Sequence, residues 1–454
     1  MGVKQRLAKW LLGGNSTKAY SNIGGIPVYG TINQQSNVDK YLTLDDVYSI
    51  VKFRARTTAM IPLRVYKVKN QGKLKDYQFA TQIKDFSTKG LVKKLLLKSQ
   101  SLEEVDDNNE LQMLLDKPNP SYSKFEFLEG VYTSPMLSGN TYIYMGKPEL
   151  GVNAGKPKEL HLMPPQYTHP IVAGEFPKYI TGYELSLNKV KRFDPEDVLH
   201  LRYFNPDFNT NGCELEGLSP LVALHRTTTR AKSENDFMVK GFQNAGAQGI
   251  VNFKELDGND AATTEALGKL KQDYYRDGSG TNNAQKNIFH AGETSYTQIG
   301  LGPVEMKVIE SQKLTFKKTC NAFFVSDILF NSDSASTESN VKEATTRMYT
   351  NACLPDAYAF RDLLNHKLTP LFNKGGVSYF IDVDITGISE LQDDMKQMAE
   401  IFNTLPIMNP AWITEAFGYG VEDKTLDKIY VKNGYTLLDD LAVNDLTLTE
   451  DYKP

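Results

Sequence analysis

Residues able to do chemistry are few and scattered in this 454-residue chain. Its six histidines include no H-x-x-x-H or H-E-x-x-H arrangement, the spacing that turns two imidazoles toward one metal. His161, His200 and His225 fall within expected elements and read as structural residues. Gly217-Leu218-Ser219-Pro220-Leu221 has the outline of the nucleophile elbow G-x-S-x-G, but Leu221 replaces the last Gly. Pro220 also removes the N–H that would face an oxyanion, so the segment reads as a helix cap. Asp382-Val383-Asp384 offers two carboxylates on one strand face, enough to suggest a metal-dependent nucleic-acid-processing enzyme. An exposed strand face alternating with Ile381, Val383 and Ile385 explains the same pattern. No G-x-x-x-x-G-K-[ST] loop occurs, which argues against a P-loop motor. Lys313, Lys317 and Lys318 form a basic cluster, with Glu310 spaced to pair with Lys313. That cluster is either a solvated helix face or a surface turned toward DNA. Nothing in these patterns calls for a cofactor.

Composition narrows the class. Hydrophobic residues at 40% and charged residues at 23% are those of an ordinary soluble protein, and the length allows two or three cores. A net charge of -4 argues against tight, general binding of nucleic acid, but is compatible with touching DNA without sticking to it. Cys213, Cys320 and Cys353 lack C-x-x-C spacing and suit reduced thiols. No apolar run approaches the length of a membrane span, so no membrane partner is expected. Residues 1–14 are basic around Trp10-Leu11-Leu12, too short an apolar block for a secretory signal. They read as a short docking helix or disordered tail in preference to an amphipathic anchor. Arg6, where Ser or Thr is wanted, argues against myristoylation of Gly2.

The elements are organised around Glu305 to Leu371, read as a helix, a polar loop and a longer helix. Met306, Ile309, Phe316, Cys320 and Phe323 share one face of the first helix at helical spacing. In the second, Val341, Ala344, Met348, Ala352, Pro355, Ala359 and Leu363 do the same, with Asn340 and Glu343 forming a capping box. Pro355 predicts a kink. Before this unit, Ser16 to Gln35 reads as an extended arm. A helix opens at Thr43 and Asp46, with Val47, Ile50 and Val51 inward, and Pro62 stops it. A strand follows at Leu63 to Val68, then a Lys-rich and acidic excursion, Asn70 to Asn109, with no assigned structure. Further helices are expected at Glu110 to Leu115 and from Phe125. Strands are expected at Thr141 to Met145, Glu159 to Met163, Tyr179 to Leu187 and Val198 to Tyr203. This first part is α+β with an antiparallel sheet. Ser219 and Pro220 open a helix reaching Gln243 that is polar almost all round from His225 to Asp236, so it must pack on polar neighbours. Asn244 to Gly302 reads as a self-contained insert. Gly375-Gly376 ends the long helix, Val377 to Ile385 alternates as a strand, and Glu390 to Thr404 is an amphipathic helix.

Taken together, these segments resemble the portal protein of a tailed bacteriophage or prophage. The resemblance rests on Leu114-Leu115 with Pro118-Asn119, Leu137-Ser138-Gly139-Asn140-Thr141-Tyr142 and Leu160-His161-Leu162-Met163-Pro164. It continues through Asp194-Pro195-Glu196-Asp197-Val198-Leu199-His200, Gly217-Leu218-Ser219-Pro220-Leu221 and Asn321-Ala322-Phe323-Phe324-Val325-Ser326-Asp327-Ile328-Leu329. Each motif is weak alone; their order and spacing are specific. Ser326 departs from a Pro common in relatives, and Asn70 to Asn109 is longer than the family leads one to expect. The resemblance implies an α+β portal fold forming a ring of twelve copies at the unique capsid vertex. Its parts would be an arm and wing over 1–216, stem helices over 217–243 and 305–328, and a clip insert over 244–304. A tunnel loop over 329–339, a kinked helix and wing return strand over 340–389, and a crown and tail over 390–454 complete it. The loop residues Asn331, Ser332, Asp333, Ser334, Ala335, Ser336, Thr337 and Glu338 would face DNA, and Lys313, Lys317 and Lys318 are candidates to line the channel. Expected partners are double-stranded DNA, the terminase large subunit, major capsid and scaffold proteins, and a head-tail adaptor. The expected location is the virion, with the host cytoplasm during assembly. A non-phage ring scaffold and the metal-dependent enzyme are the competing readings.

Overall fold

The computed structural model describes residues 21–23, 26–28, 34–82, 88–106, 108–148, 154–173, 177–187, 189–207, 213–243, 249–253, 294–298, 307–330, 337–373 and 376–385. It also describes residues 265, 268, 269, 272, 387, 388, 390, 391, 407, 408, 430, 431, 436 and 437. A small hairpin, β1 (Ser21–Ile23) with β2 (Ile26–Val28), lies within the expected arm. Helices α1 (Gln34–Thr43) and α2 (Asp45–Ala59) follow, then β3 (Leu63–Val68), α3 (Gln71–Gln82), α4 (Thr88–Ser101) and β4 (Leu102–Glu104). Next come α5 (Glu110–Asp116), α6 (Lys124–Ser138) and β5 (Asn140–Gly146). Strands β6 (Glu159–Met163), β7 (Thr168–Val172), β8 (Ile180–Ser186), β9 (Val190–Phe193) and β10 (Val198–Arg202) continue the chain. Then come α7 (Pro220–Ala223), α8 (His225–Gln243), β11 (Gly249–Phe253), β12 (Thr294–Gln298), α9 (Val308–Ala322), α10 (Glu338–Met348), α11 (Leu354–Leu363) and β13 (Tyr379–Val383). Three short pieces, β14 (Ile407–Met408), β15 (Tyr430–Val431) and β16 (Thr436–Leu437), form one sheet. All observed strand pairings are antiparallel.

The main core is assembled between α2, α6, α11 and the inward faces of two three-stranded sheets. In α2, Asp45 and Asp46 occupy the first turn, where carboxylates suit the helix dipole, while Val47, Ile50, Val51 and Ala55 are buried. The helix ends just ahead of Pro62, as its sequence requires. Strand β3 is central between β13 and β4. Leu63, Val65, Ile381 and Val383 enter the main core, whereas Tyr66 and Phe380 join Leu74, Tyr77, Leu97 and Leu102 in a second cluster. The excursion from Asn70 is therefore a helical hairpin, α3 and α4, laid on the far face of this sheet and returning as its third strand. That corrects the expectation of an unassigned segment, and it explains why β13 is buried on both faces. The sheet β10-β5-β6 stacks on β7-β8-β9 through Tyr142 and Tyr183, whose rings meet edge-on at 5.7 Å. His200 stacks on Tyr142 at 4.4 Å and reaches Asn140 Oδ1 at 2.9 Å. Burial pushes its imidazole down to about 3, so it is neutral and structural, as its sequence context suggested.

One joint sets where the second half of the chain leaves this base. Helix α6 starts with a Ser123–Glu126 capping box and ends at Gly139, which is left-handed at φ 83°. The backbone of Gly217 lies so close that a Cβ built on it would fall 1.9 Å from the Gly139 carbonyl oxygen. Asn140 closes the contact by accepting from Gly217 N at 2.6 Å. Ser219 caps α7 through Leu221 N at 3.1 Å and donates to Met136 O at 2.8 Å. Two sequence motifs almost 80 residues apart are thus halves of one backbone-to-backbone contact (the Asn140–Gly217 separation is 77 residues). Gly217→Ala should lower the melting temperature and soluble yield severely, by the equivalent of about 3 kcal/mol or more, because backbone must move to admit a methyl group. Gly155→Ala, at φ 78° with open space around it, should cost only the left-handed strain of about 1 kcal/mol. Thermal denaturation of the two variants tests the difference.

Candidate functional site

The candidate site is the unit built by α8, α9 and α10 with the loop between the last two. Helix α8 is polar nearly all round, and its partner α9 meets it with polar groups. Arg230 Nε donates to Thr315 Oγ1 at 3.1 Å, Gln312 Nε2 to Asn235 Oδ1 at 3.1 Å, and Ser311 to Glu234. The buried side of α9 is Val308, Thr315, Thr319 and Cys320. Of the expected stripe, Cys320 and Phe323 are buried and Phe316 packs against the core, whereas Met306 lies outside the described residues and Ile309 is 62% exposed. Threonines take its place because they satisfy α8 while filling little space. Lys313, Lys317 and Lys318 are exposed on the opposite side. Lys317 pairs with Asp327 at 3.3 Å, and Glu310 pairs with Lys307 at 3.6 Å rather than with Lys313.

Helix α9 ends in a Schellman turn: Val325 N bonds Cys320 O at 3.0 Å and Phe324 N bonds Asn321 O at 3.1 Å. The left-handed residue is Phe324 at φ 56°, where glycine is usual. A short 3₁₀ turn, Asp327–Leu329, leads to Phe330. That ring is wedged between Phe53 of α2 at 5.2 Å and Phe316 of α9 at 5.6 Å, both edge-on. On the far side Thr337 caps α10 by accepting from Asn340 N. Asn340 is therefore inside the helix rather than its cap, and Glu343 pairs with Arg347 at 2.6 Å instead of closing a capping box. Both roots of the loop are anchored, while Asn331, Ser332, Asp333, Ser334, Ala335 and Ser336 lie outside the described residues. Glu338 is exposed at the first turn of α10, where its charge suits the dipole.

Behind the loop, α10 passes through a π turn at Tyr349–Cys353 into α11, whose second residue is Pro355. Proline has no N–H to give the preceding turn, so the hydrogen-bond register slips by one residue there. A second π turn, Leu364–Leu368, and a 3₁₀ turn ending at Leu371 complete the segment. The helix thus stops before Gly376, which is left-handed at φ 80°; Gly375 lies outside the described residues. Asp356 of α11 is held by Arg54 Nη2 at 2.6 Å and by the Tyr203 hydroxyl at 3.2 Å. The other Arg54 terminal nitrogen donates to Phe323 O, at the end of α9, at 2.8 Å.

The two carboxylates considered for a metal are engaged elsewhere. Asp382 is buried, contrary to an exposed strand face, and accepts from the Tyr77 hydroxyl at 2.5 Å and from Arg361 at 3.3 Å. Asp384 pairs with Arg64 at 2.9 Å. Sequence reasoning missed Arg54 and Asp356, and placed Phe330 in the tunnel loop without its anchoring role; an arginine one turn below the apolar stripe of α2 was the available signal. Strands β11 and β12 of the insert pair antiparallel, and residues 265, 268, 269 and 272 are helical. The expected helix Glu390 to Thr404 lies largely outside the described residues.

An antiparallel base, a polar helix pair leaving it, and a short anchored loop returning through a broken helix define a portal-type fold. The family model for phage portal proteins matches residues 91–415, and the chain belongs to that family. Its function is that of a portal protein. A protein of Rickettsia bellii (strain RML369-C), described only as uncharacterized, is 27% identical over 314 residues, covering 68% of this chain and 77% of its own length. Among solved structures, the neck of an empty GTA particle computed with C6 symmetry matches at TM-score 0.57 and 19% identity, covering 87% of this chain and 96% of that one. The neck of a native GTA particle computed with C12 symmetry matches at 0.56 and 19%, covering 92% and 99%. These likenesses concern the fold.

Two outcomes follow from the buried groups around α2. Asp356→Asn should destabilise the chain by about 3 kcal/mol by leaving the Arg54 charge buried without its counter-ion. Arg54→Met combined with Asp356→Leu should recover part of that loss in the same thermal assay. Burial, then Asp45, then Glu234 push the Asp46 carboxyl up to about 6. Since the folded chain holds that proton more tightly than the unfolded one, this group costs stability above pH 6, and the cost is lifted as pH falls toward 4. Asp46→Asn should therefore raise the melting temperature at pH 8, by the equivalent of about 1 kcal/mol after solvent screening. The gain over wild type should close near pH 4.

Proposed function

We propose that the chain forms a ring of twelve copies at the unique vertex of a capsid, with DNA passing through its centre during packaging and ejection. The observation that carries this reading is the α8–α9 pair. Its helices meet through polar side chains and leave exposed Ile309 and Leu314 beside exposed lysines, a surface suited to neighbouring copies and to an aqueous channel. The C12 symmetry of the similar neck structure supports the copy number. In this reading residues 1–216 are arm and wing, 217–243 and 305–328 stem, 244–304 clip, and 329–339 tunnel loop. Residues 340–389 are the kinked helix and return strand, and 390–454 crown and tail. The terminase large subunit, major capsid and scaffold proteins and a head-tail adaptor are its partners. Its location is the virion, reached from the host cytoplasm. Its role is structural rather than catalytic.

Electrostatics sets how such a channel works. Each strong phosphate contact would become a barrier to sliding, so the sleeve must repel more than it attracts. Asp333 and Glu338 would recur once per subunit and keep phosphates off the small polar side chains of the loop. Lys313, Lys317 and Lys318 would offset that repulsion along the stem. Phe330 and Thr337, by anchoring the roots, confine the sleeve to a few residues.

Particle mass and negative-stain microscopy of the purified protein test the ring. Twelve copies of the 51.0 kDa chain make about 612 kDa, and rings with a central hole are expected. Particles that remain monomeric even with scaffold protein present would refute it. In assembled particles, Asp333→Asn with Glu338→Gln should leave the ring intact and alter DNA packaging or retention; unchanged values of both would refute the sleeve.

A further inference from the structure

The helical hairpin of α3 and α4 is not used by any part of the channel mechanism, and its first helix lies ahead of the family match at residue 91. Its charge is unlike the rest of the chain. Residues 69–98 hold eight lysines and two aspartates, with no arginine, histidine or glutamate. They carry +6 in a chain of net -4, so the remainder carries -10.

Four apolar side chains of the hairpin are buried against the base. Leu74, Tyr77, Ala80 and Leu97 pack on Tyr66 and Phe380, the Tyr77 hydroxyl is bound to Asp382, and Lys98 reaches the Tyr66 hydroxyl at 3.0 Å. Lys69, Lys73, Lys75 and Lys93 are exposed. Among the described residues, no carboxylate forms an ion pair with any of these four. Phe79 is the one large apolar side chain left exposed among the hairpin's described residues. Lysine without arginine suits compact charges set against phosphates rather than forked recognition of particular groups.

We propose that this hairpin is a second DNA-binding surface, outside the channel, which takes the phosphate backbone of double-stranded DNA without regard to sequence. It rests on the reading of the chain as a DNA-handling portal subunit. The physical division is clear. A channel must not grip DNA, so a site that does grip it belongs on a separate element, rigidly fixed to the base by Asp382 and the aromatic cluster.

The test is fluorescence anisotropy of a labelled random-sequence duplex with the full chain, from about 50 to 200 mM salt. Lys73→Gln, Lys75→Gln and Lys93→Gln together should weaken binding about tenfold or more at low salt, and should lower the salt slope by up to about 0.9 per lysine. The same positions changed to Arg should retain binding, which separates lost charge from lost fold. Equal DNA affinity for wild type and the Gln variant overturns the proposal. So does capture of labelled poly-glutamate that the Gln variant loses while DNA binding stays unchanged, an outcome that would assign an acidic protein partner. Hairpin-dependent DNA binding by a chain that never forms rings would refute the proposed ring and leave this site standing.

Discussion

The buried Arg54 guanidinium is the constraint on which the placement of the site depends. It lies on α2, yet its partners are the end of α9 through Phe323 O and the start of α11 through Asp356. Tyr203, just beyond β10, binds the same carboxylate. The ion pair is nearly excluded from water, with side chains 6% and 10% exposed. A charge taken into such a place needs a counter-charge and hydrogen bonds close by, and both terminal nitrogens of Arg54 have them while Nε has no partner among the described residues. Four segments from distant parts of the chain must therefore arrive together. Because both the incoming and the outgoing side of the loop are tied to this one residue, the loop's roots are positioned by the base rather than by the loop itself.

Around that pair the molecule separates rigid support from exposed working surfaces. Glycine contacts at 139 and 217 direct the polar helices outward, and the Phe53–Phe330–Phe316 stack fixes the last residue before the loop. Phe324 is a different case. It holds a left-handed conformation that costs an aromatic residue about 1 kcal/mol, yet the residue is 64% exposed and gains little within the chain. It borders an open groove of about 390 Å³ shared with Asp327, Ile328 and Arg347 at the base of the loop. The turn geometry is stabilised by its backbone bonds, which leaves the ring available at the surface.

Charge is distributed on the same plan. The negative balance of the chain outside the α3–α4 hairpin suits contact with DNA that must keep moving, while the hairpin segment concentrates positive charge. Neither property can be read from the net value of -4, which averages the two.

Much of this was legible in the residues. Local rules determined α2, β3, β6 and β13 closely, and the Ser219-Pro220 cap of α7, because caps, proline stops and alternating patterns act over a few residues; the single helix expected from Ser219 to Gln243 is broken at Leu224. The order of motifs determined the family. What only the tertiary structure decided involves partners far apart in sequence. Asp382 looked like an exposed acid because its strand alternates, but the hairpin covers that face and Tyr77 and Arg361 receive it. Ile309 looked buried because its spacing fits a stripe, but α8 presents polar groups that threonines satisfy better. Asn340 looked like a cap, yet Thr337 begins the helix one turn earlier. In each case periodicity reported the side chain correctly and its surroundings wrongly, since burial is fixed by what packs against a face, and that is a long-range property of the fold.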